Sequence, residues 1–286
     1  MDAQALHLAD QMKLRDFTRL ASIIEEYSGI RMPPSKKTMV EGRLRRRIRS
    51  LGLPGFDEYC QLLFDGGLLD HELVDLIDAV STNKTDFFRE EQHFHVLVDV
   101  VLPTLVGLPD RPGMSRPLKV WSAACSNGAE PYSIAMVLDE FGRSQRGFSF
   151  SILGTDISTD VLAKARMGVY PFEMIEPVPR ELQRRHFLRP RDPENRTVRL
   201  SPVIRQAVHF GRMNLMDEEY PVDKGMDVIF CRNVLFYFGK EKQQEVLVHL
   251  CRHLRQGGFL FISHTESVAG MNLPVAQVAT SVFQRK

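Results

Sequence analysis

The sequence predicts an α/β fold in which a mostly parallel sheet carries a small inserted β-subdomain and follows a small all-helical domain. Three observations carry this. Up to about Val80, apolar residues recur at helical spacing and no strand pattern is seen. From Leu118 onward, short apolar strands alternate with helical patterns, as a parallel sheet with crossover helices requires. Between Gly168 and Gln206 that rhythm breaks among Pro171, Pro177, Pro179, Pro190, Pro193 and Pro202, which marks an insertion on the sheet. The expected division is 1–80 for the helical domain, 81–117 for a connecting helix and linker, and 118–286 for the α/β domain, with 168–206 as the insertion.

In the helical domain, Asp16 is placed to cap a first helix with Phe17, Leu20, Ile23, Ile24 and Tyr27 on its apolar face and Gly29 at its end. Pro33-Pro34 breaks the chain. Ser35 is then placed to cap a basic helix with Met39, Val40, Leu44, Ile48 and Leu51 inward, ended by Gly52. Further helices are expected around Tyr59–Phe64 and Leu69–Val80. After the polar stretch Ser81–Thr85, Asp86 is placed to cap a helix running to Leu102, where Pro103 stops it.

The α/β part opens on Val120-Trp121-Ser122-Ala123-Ala124-Cys125-Ser126-Asn127-Gly128-Ala129-Glu130-Pro131-Tyr132-Ser133, a strand end, a turn of small residues and a helix start. Pro131 suits the first helical position and Gly142 the helix end. The second strand, Phe148–Gly154, leads to Asp156; Ser158 caps the next helix and Gly168 follows it. A short helix near Leu182–Phe187 and the strand Thr197–Leu200 belong to the insertion. Strands at Val208–Phe210 and Asp227–Cys231 lead to Asn214-Leu215 and Arg232-Asn233. A helix from Lys240 turns at Gly257-Gly258 into the strand Phe259–Ser263, and Gln277–Gln284 alternates as one edge strand.

Composition narrows the function. The 286 residues are 43% hydrophobic and 26% charged, those of a soluble globular protein, with no apolar run of membrane-spanning length. Met1–Asp10 lacks the basic-then-apolar pattern of a secretory leader. Cys60, Cys125, Cys231 and Cys251 show no C-x-x-C spacing, so neither a zinc site nor a disulfide framework follows, and a reduced, cytoplasmic compartment is expected. Net charge is +1, which speaks against nucleic-acid binding, yet Lys36, Lys37, Arg43, Arg45, Arg46, Arg47 and Arg49 crowd one stretch against the single acid Glu41.

A strand, a tight turn and a helix N-terminus make a nucleotide-type cleft. This turn is not G-x-G-x-x-G and holds one glycine, Gly128, so it serves a pyrophosphate poorly. A ligand with an amino-acid head and an adenosine tail tolerates Ala123, Ala124, Cys125 and Ser126, and S-adenosylmethionine (AdoMet) fits that description. Ligands in open α/β sheets bind outside the carboxyl ends of the strands. Asp156 stands where an acid accepts hydrogen bonds from ribose hydroxyls, and capping by Ser158 leaves it free for that. Asn214 and Leu215 suit an adenine, one polar edge and one apolar wall.

Six ordered blocks carry a family resemblance: Asn83-x-Thr85-x-Phe87-Phe88-Arg89, Trp121 to Ser133, Asp156-Ile157, Asn214-Leu215, Phe230-Cys231-Arg232-Asn233-Val234-x-x-Tyr237-Phe238, and Gly257-Gly258 with Ser263-His264-x-Glu266-Ser267. Over nearly the whole chain the sequence resembles the chemotaxis receptor methyltransferases, the CheR family. The resemblance implies a Rossmann-like AdoMet-dependent methyltransferase domain and methylation of glutamate side chains on the cytoplasmic helices of chemoreceptors, with S-adenosylhomocysteine (AdoHcy) as product. By position, Asn83, Thr85, Arg89, Glu130, Asp156, Asn214, Leu215, Asn233 and Val234 would line the AdoMet site. Arg89 and Tyr237 would face the reacting centre. Ala129 departs from the family, which usually carries a second Glu there.

Such chemistry needs no enzyme nucleophile. The attacking glutamate, with an ordinary pKa of roughly 4.3, is ionised at neutral pH, and a neutral thioether leaves a sulfonium. Catalysis is then in-line positioning and exclusion of water. Arg89 can grip a carboxylate with two bonds, either the substrate's or the cofactor's own. Tyr237 can hydrogen-bond near the transferred methyl. Lys36, Arg43, Arg46 and Arg47 are expected on one helical side, opposite Val40 and Leu44, facing the acidic receptor helices. No metal is expected: His93 and His95, beside Glu90 and Glu91, are two apart on a helix and share no face. His264 and Glu266 are expected in structural hydrogen bonds, and Cys125 and Cys231 as small or buried spacers.

Three other functions compete. A nicotinamide oxidoreductase lacks its glycine pattern here, and an RNA methyltransferase meets a near-neutral charge and no Asn/Asp-Pro-Pro-Tyr-type motif. A non-catalytic AdoMet sensor would not need Arg89 and Tyr237. A monomer is expected, with no membrane insertion. Some family members use the inserted subdomain to capture a receptor's C-terminal tail peptide, and they share a Gly-x-Gly in its tight loop. Here Leu188–Arg196 holds Pro190 and Pro193 and no glycine, so dependence on a tail pentapeptide is not expected.

Overall fold

The computed structural model describes residues 11–192 and 194–286. The expectations about Met1–Asp10 and Pro193 lie outside them. The chain divides into two compact units, one up to Thr82 together with Tyr237–Gly239, the other formed by Asn83–Phe236 and Lys240–Lys286.

The first unit contains α1 (Leu14–Ser28), a 3-10 turn (Pro34–Lys36), α2 (Lys37–Ser50), α3 (Phe56–Phe64) and α4 (Leu69–Val80). Its core is Phe17, Leu20, Ile24, Val40, Leu44, Ile48, Tyr59, Leu76 and Ile77, so the helical periodicity in the sequence is the packing pattern. Gly29 closes α1 in the left-handed conformation (φ 72°), donating to Glu25 O. Two caps differ from expectation. Asp16 lies inside the first turn of α1, after Lys13, and Ser35 lies inside the 3-10 turn that Pro34 starts, so neither side chain caps. Tyr237–Gly239 packs with this unit, where Arg31 N–H donates to Tyr237 O (3.0 Å) and Lys36 Nζ lies 5.5 Å from the Tyr237 ring centroid.

The second unit begins with a compact turn over 87–91 rather than a helix capped by Asp86. Helix α5 (Gln92–Val96) then runs through a π-helical turn (Leu97–Val101) into α6 (Leu102–Val106). Pro103 therefore does not stop the helix. The wider turn ahead of it, with Leu102 N–H on Leu97 O, is the kind of local adjustment that accommodates a residue lacking a donor.

The main sheet has seven strands: β1 (Leu118–Ala123), β2 (Phe150–Asp156), β6 (Val208–Arg212), β7 (Met226–Cys231), β8 (Leu254–Ile262), β9 (Val275–Ala279) and β10 (Val282–Arg285), in the order β6-β2-β1-β7-β8-β10-β9. The first five are parallel, and β10 and β9 are antiparallel. The tail is thus a hairpin, not one edge strand. Its turn is Thr280-Ser281, with Ser281 at φ 56°, and it carries no glycine or asparagine to announce it.

Helices α7 (Ala129–Ser144), α8 (Thr159–Met167) and α11 (Lys240–His253) connect strands. Pro131 is the third residue of α7, still within the turn whose amides lack helical acceptors. Gly142 does not end α7. A Cβ there would lie 3.1 Å from the Phe148 ring, so the glycine makes room for that side chain. The insertion forms a three-stranded antiparallel sheet, with β5 (Thr197–Leu200) between β3 (Val169–Pro171) and β4 (Phe187–Leu188), beside the short helices α9 (Arg180–His186) and α10 (Pro202–Gln206).

Candidate active site

The strand order reverses at β1, with β2 on one side and β7 on the other, so a crevice opens outside their carboxyl ends. Seven described non-glycine residues have positive φ, and five surround this crevice: Ala124 (58°) and Ser126 (51°) after β1, Asn233 (60°) after β7, and Phe88 (55°) and Glu90 (57°) in the turn before α5. Backbone held in such conformations persists where surrounding contacts over-determine it.

Four amides of the turn after β1 are held by hydrogen bonds within the protein. The Cys125 amide donates to Thr155 O (2.9 Å), Ser126 to Asp156 Oδ2 (2.8 Å), Gly128 to Cys125 O (3.1 Å) and Ala129 to Asn127 Oδ1 (3.2 Å). These four donors are turned to the protein and not offered to a phosphate. Gly128 (φ 89°) is required, because a Cβ would meet Ala165 Cβ at 2.9 Å, the Tyr132 ring and the Tyr170 hydroxyl.

Asp156 is not left free by Ser158. Ser158 does cap α8, accepting from Val161 N–H (3.4 Å), while Asp156 Oδ1 accepts the Ser158 amide (3.0 Å) and Oδ2 the Ser126 amide. Asp156 thus ties the ends of β1 and β2 together at the rim of the crevice. Next to it, Asn214 Oδ1 accepts Met216 N–H (3.1 Å), and Leu215 is buried, its carbonyl accepting from Tyr220 Oη (2.8 Å).

Asn83 joins the same rim, its carbonyl accepting from Ser126 Oγ (3.0 Å), and Thr85 follows half-buried. The turn carrying Arg89 is plugged in by Phe87, edge-on to Tyr170 (4.9 Å) and Phe187 (5.6 Å), and by the Phe88 amide on Ser133 Oγ (3.0 Å). Arg89 itself is half-buried, with Nη1 donating to Lys84 O (3.3 Å). Tyr237 groups with the helical unit.

Under this rim lies a charged cluster. Arg232 donates to Glu130 Oε2 (3.2 Å), to Glu90 Oε2 (3.0 and 3.3 Å) and to the Arg89 carbonyl. Ser122 Oγ donates to Glu130 Oε1 (2.7 Å). Burial pushes the Glu130 carboxyl above its ordinary range against the pull of Arg232. Burial acts likewise on Glu90, but bonds from Ser263 and Arg232 outweigh it and hold that carboxyl below its ordinary range. Asn233 Nδ2 donates to Ser263 Oγ (2.7 Å), and Glu266 accepts the amides of Asn233, Val234, Leu235 and Ser263 (2.8–3.3 Å). Glu266 therefore shapes the Asn233-Val234 loop, the structural role its strand-end position suggests. Arg232, Glu90 and Ser122 are the members that sequence reasoning passed over. The signal was a charged residue directly after a buried strand.

His93 and His95 part company: His95 is exposed, while His93 is 1% exposed, its ring 4.4 Å from that of His264 and edge-on to Phe261. Burial and the Arg232 charge push the His93 imidazole down to about 4. Ligand-type atoms of Glu90, His93 and His264 lie within 4.8 Å of one another. The Glu90 carboxylate is already held by Arg232, whose charge opposes a cation there.

In the helical unit, the basic residues are not one solvated face. At about 100° per residue, Arg43 and Arg47 flank the Val40–Leu44 stripe instead of opposing it. Arg43 donates to Val80 O, Ser81 O (2.9 Å) and Thr82 Oγ1 (3.1 Å), capping the carbonyl end of α4. Arg47 forks onto Glu72 (2.9 and 2.7 Å) and reaches Asp75 (2.6 Å). Lys36 is half-buried and donates to Arg31 O (3.1 Å), while Arg46 is exposed.

Residues 83–283 match the family model described as CheR methyltransferase, SAM binding domain, and residues 15–81 match CheR methyltransferase, all-alpha domain. Among curated proteins, the chain is 36% identical to a chemotaxis protein methyltransferase of Borreliella burgdorferi, over 93% of each chain. It is 37% identical to chemotaxis protein methyltransferase 2 of Pseudomonas aeruginosa, over 94% of this chain and 92% of that one. The corresponding protein of Escherichia coli strain K12 is also 37% identical, over 92% and 88%.

Proposed function

Because the chain belongs to the CheR methyltransferase family, a family of AdoMet-dependent enzymes of chemotaxis, we propose that it methylates glutamate side chains on the cytoplasmic helices of chemoreceptors, forming glutamate methyl esters and AdoHcy in sensory adaptation. The observation that carries the reading is the crevice itself: Asp156, Glu130, Asn214 and the Asn233-Val234 loop on adjacent strand ends, around a turn four of whose amides are already committed.

In this reading, Asp156 meets the ribose, Asn214 and Leu215 the adenine, and Asn83, Thr85, Glu130, Asn233 and Val234 complete the AdoMet site. Arg89 grips a carboxylate, and Tyr237 hydrogen-bonds beside the methyl in flight. The receptor glutamate attacks the methyl carbon, and the sulfonium leaves as the AdoHcy thioether. Arg46, with Lys36, meets the acidic receptor helix, while Arg43 and Arg47 shape the helix that presents them. Calorimetry with AdoHcy tests the cofactor half. Saturable one-to-one binding is expected, and its absence in folded protein would remove the reading. No described helix is long and apolar enough to cross a membrane.

A further inference from the structure

Among the described residues, Arg232 is the one buried arginine or lysine. Its guanidinium makes four hydrogen bonds, all of them to the protein. Nη1 goes to Glu130, Nε to Glu90, and Nη2 to Glu90 and the Arg89 carbonyl, while 1% of the side chain reaches solvent. Three pieces of chain meet on it: the end of β7, the start of α7 and the turn before α5. That turn holds Phe88 and Glu90 at positive φ. Bonds to the Arg89 carbonyl and the Glu90 side chain fix its backbone between those two strained residues.

Glu130 is placed differently. Its oxygens each take one donor, Ser122 and Arg232, and 14% of its side chain remains open. A carboxylate has about four lone-pair directions, so acceptor capacity is left for donors of a ligand. The groups facing it are Arg232, Glu90, Glu266 and the thiols of Cys125 and Cys231. Arg232 is the cation in that set, and without it three carboxylates would crowd one buried volume.

We propose that Arg232 is a positioning residue of the methyl-transfer site, supplying the cation that pairs with Glu130 at the cofactor crevice and clamping the strained turn that carries Arg89, while touching neither substrate. This rests on the reading of the crevice as the AdoMet site. Burial works to protonate Glu130 and the Arg232 charge opposes it, so loss of that charge favours the protonated carboxyl.

The test uses full-length Arg232→Gln and Arg232→Lys variants, with AdoHcy affinity by calorimetry and thermal melts between about pH 6 and about pH 8.5. Wild-type affinity is expected to stay nearly level. Arg232→Gln should bind on the order of tenfold more weakly at neutral pH and recover as pH rises, because Glu130 must first lose its proton. Its folding should move the other way. A carboxyl whose pKa is raised in the folded state costs stability as pH rises through it, so the melting temperature should fall while affinity climbs. A merely structural arginine would make both fall together. Adding Glu130→Gln to Arg232→Gln should abolish the recovery. If Arg232→Gln does not fold, Arg232→Lys decides: one ammonium keeps the charge but cannot reproduce the four forked hydrogen bonds, so kcat should drop more than AdoHcy affinity. Wild-type affinity and kcat in either variant, level with pH, would overturn the proposal. Absence of AdoHcy binding by the wild type would fail the crevice reading, and this proposal with it.

Discussion

The Ser126 amide donates to Asp156 Oδ2 at 2.8 Å, so the end of β2 holds the turn after β1 in shape. The second oxygen of Asp156 holds the Ser158 amide at the start of α8. The residue proposed to receive the ribose is also the fastener of the turn beneath it.

Asp156→Ala is therefore expected to weaken AdoHcy binding about tenfold or more, since charged hydrogen bonds contribute about 1.5–3 kcal/mol each. It should also lower the melting temperature. Calorimetry on the folded variant checks the first effect, and an unchanged affinity would remove Asp156 from the site.

Charge reversal in the basic helix should split by residue. Arg46→Glu, at an exposed position, is expected to raise the apparent KM for receptor most strongly at low salt and to leave AdoHcy affinity and stability unchanged. Arg47→Glu breaks the fork onto buried Glu72 and is expected to cost on the order of 3 kcal/mol of stability. Steady-state kinetics across salt and denaturant melts of both variants read the difference.

His93 predicts an acid-sensitive fold. Its imidazole is pushed down to about 4 in the folded state, by burial first and then by Arg232, with Glu90 opposing and His264 adding to the effect. The folded state thus binds fewer protons than the unfolded state below the ordinary value near 6.5. Its contribution is fully present above about pH 6.5 and is lost as pH falls toward about 4, a change on the order of 3 kcal/mol. Melts of wild type should decline steeply over that window, and His93→Phe should flatten that part of the curve. Parallel curves would contradict it.

The inserted subdomain is expected not to capture a receptor tail peptide. Its edge strands are short: β4 has two residues, and β3 has three and ends in Pro171, which cannot donate to an added strand. Titration with a receptor tail pentapeptide should give no saturable heat, and low-micromolar binding, on the scale of about 8 kcal/mol, would refute this.

Much of this was legible beforehand because periodicity reports burial. Phe17, Leu20 and Ile24, or Val120 and Trp121, lie where their spacing puts them. Gly128 announced the turn because little else fits at φ 89° with Ala165 behind it. What stayed hidden were choices made by tertiary partners. Nothing near Arg43 in sequence says that it will find the carbonyls of Val80 and Ser81, 37 and 38 residues away. Arg232 meets Glu90 across 142 residues, and Glu266 meets the amides of Val234 and Leu235 across a strand and a helix. Ser281 turns a hairpin without glycine because β8 holds its second strand in place.

The central claim is methyl transfer from AdoMet to a receptor glutamate carboxylate at this crevice. The most direct measurement is incorporation of tritiated methyl from AdoMet into a chemoreceptor cytoplasmic fragment, followed by alkaline release of volatile methanol, with Arg89→Ala and Tyr237→Phe alongside. The account predicts base-labile label in the receptor and none in RNA. In the two folded variants the rate should fall about a hundredfold or more, the scale of a misplaced reacting group. Base-stable label, label in RNA, or near-wild-type rates in both variants would contradict it.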